Sequence, residues 1–287
     1  MHTTITDMET NQVSESAAFR QLTDLMVQAG RDHANGSTVL QSGKTYVLVH
    51  GAWHGAWCWN KLTPLMQVRG HKAIAVDLPG HGNDSANVED ISLDDYVNKV
   101  AKCISSQDES VILVGHSMSG IVISQVAEKL GGKKISALVY LDAFLPRDGE
   151  TLFSLVEATL RQLPANSLSE PSLVENIILS EDHKTNTINP GLAGWLFYHD
   201  CPEEETQFAL ARMSKEPVAP LATPLRLTDE VYGAIPKYYI LCRESKDLDK
   251  TFLSTNMPCK KIYRLPSGHS PFFSMPEKLE EILNEIG

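Results

Sequence analysis

The stretch VILVGHSMSG, Val111 to Gly120, constrains the fold more than any other part of the chain. Four apolar residues, Val111–Val114, run directly into Gly115, His116, Ser117, Met118, Ser119 and Gly120, and a helical pattern extends from Met118 to Leu130. A strand that turns at once into a helix must pack closely against it, and a glycine on each side of Ser117 permits that approach. The serine is then held in strained backbone with its Oγ exposed, at the N-terminus of the helix. The helix dipole and the free N–H groups there favour negative charge developing beside it. The Met118 N–H is the first donor placed to receive that charge.

The rest of the chain alternates in the same way. Apolar runs at Tyr46–Val49, Ala73–Val76, Ala137–Leu141, Tyr238–Cys242 and Lys261–Leu265 read as strands. Trp59–Val68, Leu93–Ile104 and Pro276–Ile286 read as helices, with Pro64 an objection to the first. This alternation predicts an α/β fold, a mostly parallel sheet with helices on both faces. Between about residues 147 and 232 the pattern breaks, and helical stretches at Leu152–Leu163 and Glu203–Met213 read as a helical cap. An insertion there sits over the C-terminal ends of the strands, where open α/β sheets bind ligands.

Residues 1–43 read as an N-terminal extension outside a domain of residues 44–287. The extension carries one amphipathic helix, Ala17–Ala29, with Phe19, Leu22, Leu25, Met26 and Ala29 at helical spacing. That helix packs either on the main domain or on a second copy in a homodimer; the sequence leaves both open.

Composition narrows the function classes. Apolar residues make up 42% of the chain, enough for a full core. A net charge of −11 argues against a nucleic-acid or anionic-membrane surface, since both need clustered Lys and Arg. The five cysteines form no CxxC pair, which argues against a disulfide framework or zinc site and for reduced thiols in the cytoplasm. The start MHTTITDMETNQVSESAAF has no basic and apolar leader pattern, so no signal peptide is expected. No apolar run approaches the ~18 residues of a membrane helix. No metal or organic cofactor is expected.

A serine hydroxyl needs a base. Of the ten histidines, His269 in LPSGHSPFF is best placed, just after the last strand and before the last helix. Late placement matches the chain order serine, acid, histidine. The loop after the first strand, His50-Gly51-Ala52-Trp53-His54-Gly55, should supply a second oxyanion donor, the Ala52 N–H. Trp53, His116 and Trp195 are expected around a substrate pocket, with Phe197 and Tyr198 as further apolar lining. Asp77, at a strand end before a glycine-rich turn, reads as structural.

VLVHGAWHGAWCW, AIAVDLPGHG, VGHSMSG, YLDAFLP and SGHSPFFSMPEKL together resemble the α/β-hydrolase superfamily. More narrowly, they and YHDCPEEETQFAL are similar to the branch of plant methylesterases, hydroxynitrile lyases and bacterial esterases such as pyrethroid hydrolases. The resemblance covers Lys44 to the end. It implies an eight-stranded, mostly parallel sheet and Ser–His–acid chemistry. The lyases of this branch carry lysine directly after the catalytic histidine, where this chain has Ser270. They carry threonine where Gly51 stands. Both departures favour hydrolysis over cyanohydrin cleavage.

The acid departs from the family pattern as well. The family places it just after the next-to-last strand, and the ungapped position is Ser245, within Cys242-Arg243-Glu244-Ser245-Lys246-Asp247-Leu248-Asp249. Asp142 in YLDAF, at the end of the preceding strand, is the first candidate in its place. Asp247, Glu244 and Asp249 are the alternatives. The expected protein is a serine esterase working through an acyl-enzyme. Its rivals are a lyase or cofactor-free non-hydrolytic enzyme on the same fold, and a slow-hydrolysing ligand receptor.

Overall fold

The computed structural model describes residues 43–162 and 171–286. The helix expected at Ala17–Ala29 lies outside the described residues. The central sheet holds six strands: β1 (Thr45–Val49), β2 (Lys72–Val76), β3 (Val111–His116), β4 (Ile135–Leu141), β8 (Lys237–Cys242) and β9 (Lys261–Leu265). Their order is β2-β1-β3-β4-β8-β9, and every pair is parallel. Among the described residues the sheet therefore has six strands, not the eight that the resemblance implied.

Burial explains the strand sequences. Residues 111–116 are buried throughout, so both faces of β3 are apolar and no alternation is visible. The helix between β2 and β3 shows one apolar face, whereas the helix Ser119–Leu130 is buried all round through its first turns. In Leu93–Ser105 that face is Leu93, Tyr96, Val97, Val100, Ala101 and Ile104, and a Ser92–Asp95 capping box starts the helix. The helix before β2 spans Leu62–Val68, preceded by a 3₁₀ turn at Ala56–Trp59. Pro64 lies in its first turn, where the missing N–H is an orphan anyway, so the proline is tolerated.

The cap between β4 and β8 differs from expectation. It has helices at Leu152–Leu160, Pro190–Tyr198, Glu203–Leu210 and Val218–Ala222. It also has a three-stranded antiparallel sheet, β5 (Ile177–Leu179), β6 (Thr185–Ile188) and β7 (Glu216–Pro217), in that order. The cap thus carries a small sheet beside the helices expected of it. Runs of two to four residues are too short for period-two alternation to be read.

Candidate active site

Three adjacent strands lead into the same unusual backbone. Directly after β3 and β4 stand Ser117 (φ 54°) and Asp142 (φ 43°), and in the loop after β1, which ends at Val49, stands Trp53 (φ 64°), all non-glycine residues in left-handed backbone. Such residues are uncommon, cost about 1–3 kcal/mol each and persist only where the surroundings impose them. Ladder bonds hold two of them: Ser117 N–H donates to Leu141 O at 3.2 Å, and Asp142 N–H to Ile240 O at 2.8 Å.

The elbow is built from close contacts. A Cβ on Gly120 would overlap the backbone of Phe144, and one on Gly115 would press on Ile123 at 2.9 Å. Phe144 N–H donates to Ser117 O at 3.1 Å, joining the β4 loop to the turn. From Val111 to Gly120 every residue is buried except Ser117, which is half-exposed. Met118 caps the helix Ser119–Leu130, so its N–H lies among the first-turn donors. Across the site, a Cβ on Gly51 would come within 2.9 Å of Ser117 Cβ, so the residue before Ala52 touches the serine.

His269 reaches this point from the loop after β9. His116 Nε2 donates to the His269 carbonyl at 2.9 Å, and the two rings lie 4.4 Å apart. His116 is thus a strut between elbow and histidine loop. Burial, then the nearby His269, hold its pKa well below the usual range. From the cap, Asp200 Oδ2 accepts from Gly268 N–H at 2.7 Å, and the Phe197 ring lies 5.6 Å from His269.

Asp142 is the carboxylate bound to the histidine. His269 Nδ1 donates to Asp142 Oδ2 at 2.9 Å, and both side chains are buried. The same oxygen accepts from Ser245 Oγ at 2.7 Å, and Oδ1 accepts from Cys242 N–H at 3.2 Å. Ser245, at the family's usual acid position, thus supports the carboxylate that the preceding strand supplies. Asp247 Oδ1 is 3.3 Å from His269 Nδ1 but makes no hydrogen bond there. Glu244 is exposed and joins Ser267 only through its backbone, and Asp249 is exposed and accepts from Thr251 N–H. Neither has a hydrogen bond or ion pair to His269 among these contacts.

Sequence reasoning missed Lys250. Its side chain is fully buried, with Nζ 3.0 Å from Asp142 Oδ2, 2.6 Å from Asp247 Oδ2 and 3.5 Å from His269 Nδ1. Atoms of Asp142, Asp247 and His269 lie within 4.8 Å of one another, the spacing of a metal-ligand set, and here an ammonium supplies the positive charge. A lysine in a mixed-charge loop carries no sequence signal of burial. Burial by itself would raise the Asp142 carboxyl; Lys250 and His269 outweigh it and hold the pKa below its ordinary 3.8. The carboxylate therefore stabilises the fold above that pH, and the contribution is lost as pH falls through the lower folded value. Lys250→Met should cost about 3 kcal/mol at neutral pH by leaving two carboxylates uncompensated. In thermal melts the deficit should shrink once the pH drops below about 4. A loss independent of pH would mean that the lysine acts through packing.

The residues expected around a pocket divide. Trp53 is buried and stacks on Phe197 at 5.7 Å. Tyr198 OH donates to His54 Nε2 at 2.7 Å, beneath the loop after β1. Trp195 is half-buried, with Lys246 Nζ 5.5 Å from its ring. Asp77 accepts from Ala56 N–H at 2.6 Å and Asn83 N–H at 3.1 Å, the structural wiring expected of it.

A strained serine between strand and helix, whose neighbour His116 bonds the loop of a buried histidine–aspartate pair at the C-terminal edge of a parallel sheet, fits a serine hydrolase. The chain belongs to the Alpha/beta hydrolase family, whose sequence description matches residues 46–282. It is 32% identical to methylesterase 9 of Arabidopsis thaliana over 257 residues, 85% of this chain and 98% of that protein. It is 30% identical to an alpha-hydroxynitrile lyase of Arabidopsis thaliana, over 84% of this chain and 96% of that protein. The structure of polyneuridine aldehyde esterase superposes with a TM-score of 0.75 at 25% identity, over 85% of this chain and 99% of that one. No helix among the described residues is long and apolar enough to cross a membrane.

Proposed function

We propose that Ser117 is the nucleophile of this carboxylic ester hydrolase, with His269 as its base, Asp142 as the orienting acid, and the Ala52 and Met118 amides as oxyanion donors. Ser117 Oγ attacks the ester carbonyl while His269 takes its proton. The carbonyl oxygen becomes an oxyanion facing the two amides. Asp142 keeps a proton on Nδ1, which leaves Nε2 as the basic nitrogen, and it stabilises the imidazolium that forms. His269 then protonates the leaving alkoxide. Water, giving a proton to His269, attacks the acyl group on Ser117; as the acyl–Oγ bond breaks, His269 returns that proton to Ser117 Oγ and the acid leaves.

The observation that carries this reading is the buried 2.9 Å bond from His269 Nδ1 to Asp142, one strand away from the left-handed Ser117. The substrate we infer is a small, rather apolar ester. The methylesterase relative supports a methyl ester. The five unpaired cysteines support a reducing, cytoplasmic setting.

The lyase reading has specific observations against it. A threonine at Gly51 would place its Cβ 2.9 Å from Ser117 Cβ and 3.0 Å from His116 Nδ1. Lys250 is a cation near the histidine, but it sits on the Nδ1 side, paired with two carboxylates. The test is turnover of p-nitrophenyl acetate and butyrate, of methyl esters, and of acetone cyanohydrin. Ester turnover with a pre-steady-state burst of nitrophenol is expected, and the cyanohydrin should be left intact. No burst and no turnover on any ester would overturn the hydrolase reading.

A further inference from the structure

Trp53 is held almost entirely by the cap. Its N–H donates to Glu216 Oε2 at 3.1 Å, its Nε1–H donates to Asn186 Oδ1 at 2.9 Å, and its carbonyl accepts from Ser214 N–H at 2.9 Å. All three partners lie in or beside strands β6 and β7. Every polar group of a strained residue in the loop after β1 is thus tied to an element more than a hundred residues away in sequence.

We propose that Glu216 is a positioning residue for the reaction: its buried carboxylate clamps the Trp53 peptide and thereby aims the Ala52 N–H at the oxyanion. This rests on the assignment of Ala52 as an oxyanion donor. The peptide between Ala52 and Trp53 is gripped at both ends. His54 Nδ1 donates to the Ala52 carbonyl at 2.7 Å, and Glu216 receives the Trp53 N–H. A peptide group is planar, so fixing both ends fixes its orientation and restricts rotation about Ala52. The Ala52 N–H lies on the preceding peptide, next to the Gly51 that meets Ser117, and is the donor whose direction this grip would set. His54 suits its part as a neutral ring: burial pushes its pKa down to about 4, so Nδ1 donates while Nε2 accepts from Tyr198 OH at 2.7 Å.

The carboxylate is itself fixed. Glu216 is fully buried, Oε2 also accepts from His81 Nε2 at 2.9 Å, and Oε1 accepts from Tyr96 OH at 2.9 Å. His81 Nδ1 faces the Pro79 carbonyl at 3.0 Å, so both ring nitrogens meet acceptors and both carry protons. The result is a buried ion pair joining β7 to the turn after β2. Asn186 Nδ2 donates to the Glu216 carbonyl at 3.2 Å, which links the two clamps on Trp53. A buried ion pair is a poor way merely to hold a cap down, since apolar contacts serve as well. It is a good way to hold one amide in one direction, because a hydrogen bond to a charged acceptor is strong and directional.

The experiment compares wild type with Glu216→Gln, which keeps the shape and removes the charge, and Glu216→Ala, which removes the acceptor. Active sites are counted by labelling Ser117 with a p-nitrophenyl phosphonate, so that misfolded protein drops out. Per labelled site, kcat on p-nitrophenyl butyrate should fall about 10-fold for glutamine and about 100-fold for alanine, with KM within about threefold. Affinity for an aliphatic trifluoromethyl ketone, which puts an oxyanion into the site, should fall in parallel. Affinity for butyrate should hold. A merely structural glutamate would lower melting temperature and site count but leave kcat per site and ketone affinity unchanged, and that result would overturn the proposal. If alanine does not fold, the glutamine variant alone decides. Wild type that neither turns over esters nor takes up phosphonate would instead sink the hydrolase reading, and the clamp's catalytic meaning with it.

Discussion

Replacing Ser117 by alanine should lower kcat on p-nitrophenyl esters by roughly 10⁵-fold, to the residue of catalysis that binding and the oxyanion donors supply. The loss should appear with KM little changed and with no burst, because no acyl-enzyme forms. A second consequence follows from the backbone. Ser117 sits at φ 54°, where any side chain is strained. Ser117→Gly should be equally inactive yet more stable than wild type by about 1 kcal/mol, read as a higher melting temperature. Retention of more than a hundredth of the activity by either variant would remove Ser117 as nucleophile.

Asp142→Asn should lower kcat by about 10⁴-fold, since an amide can leave the wrong nitrogen of His269 protonated. Asp247→Asn should cost less than about tenfold, because Asp247 neutralises Lys250 and makes no hydrogen bond to the imidazole. Both variants should be compared at matched folding, judged by circular dichroism. The reverse ranking would transfer the acid role to Asp247. Equal and mild losses would mean that the two carboxylates substitute for one another.

The two predictions differ in how far sequence reasoning reached. The turn at Ser117 and the loop that carries His269 were legible because their signals are local. Two glycines around a serine, between an apolar run and a helical pattern, have few other uses, and a histidine after the last strand has one place to go. The strands were legible for the same reason: β9 falls where the apolar run predicts, and β3 extends it only to His116. The acid was narrowed but not decided. Asp142, Asp247, Glu244 and Asp249 are all carboxylates near strand ends, and nothing in their neighbours says which one faces a histidine. The sheet in the cap was missed because β7 has two residues and β5 three.

Lys250 and Glu216 mark the boundary most clearly. Each reads as an ordinary charged residue in a polar stretch, yet both are buried, and each binds partners that come from other elements. Lys250 meets Asp142 from the end of β4, and Glu216 meets Trp53, His81 and Tyr96 from three segments of the sheet domain. The sequence by itself determined the parallel sheet, the serine elbow and the place of the histidine, because backbone sterics and apolar periodicity act between near neighbours along the chain. The tertiary structure alone decided which carboxylate hydrogen-bonds the histidine and which one receives the Trp53 N–H in the loop after β1. Those are choices among buried charges, and a buried charge is tolerated only where distant segments bring its partner within hydrogen-bonding distance.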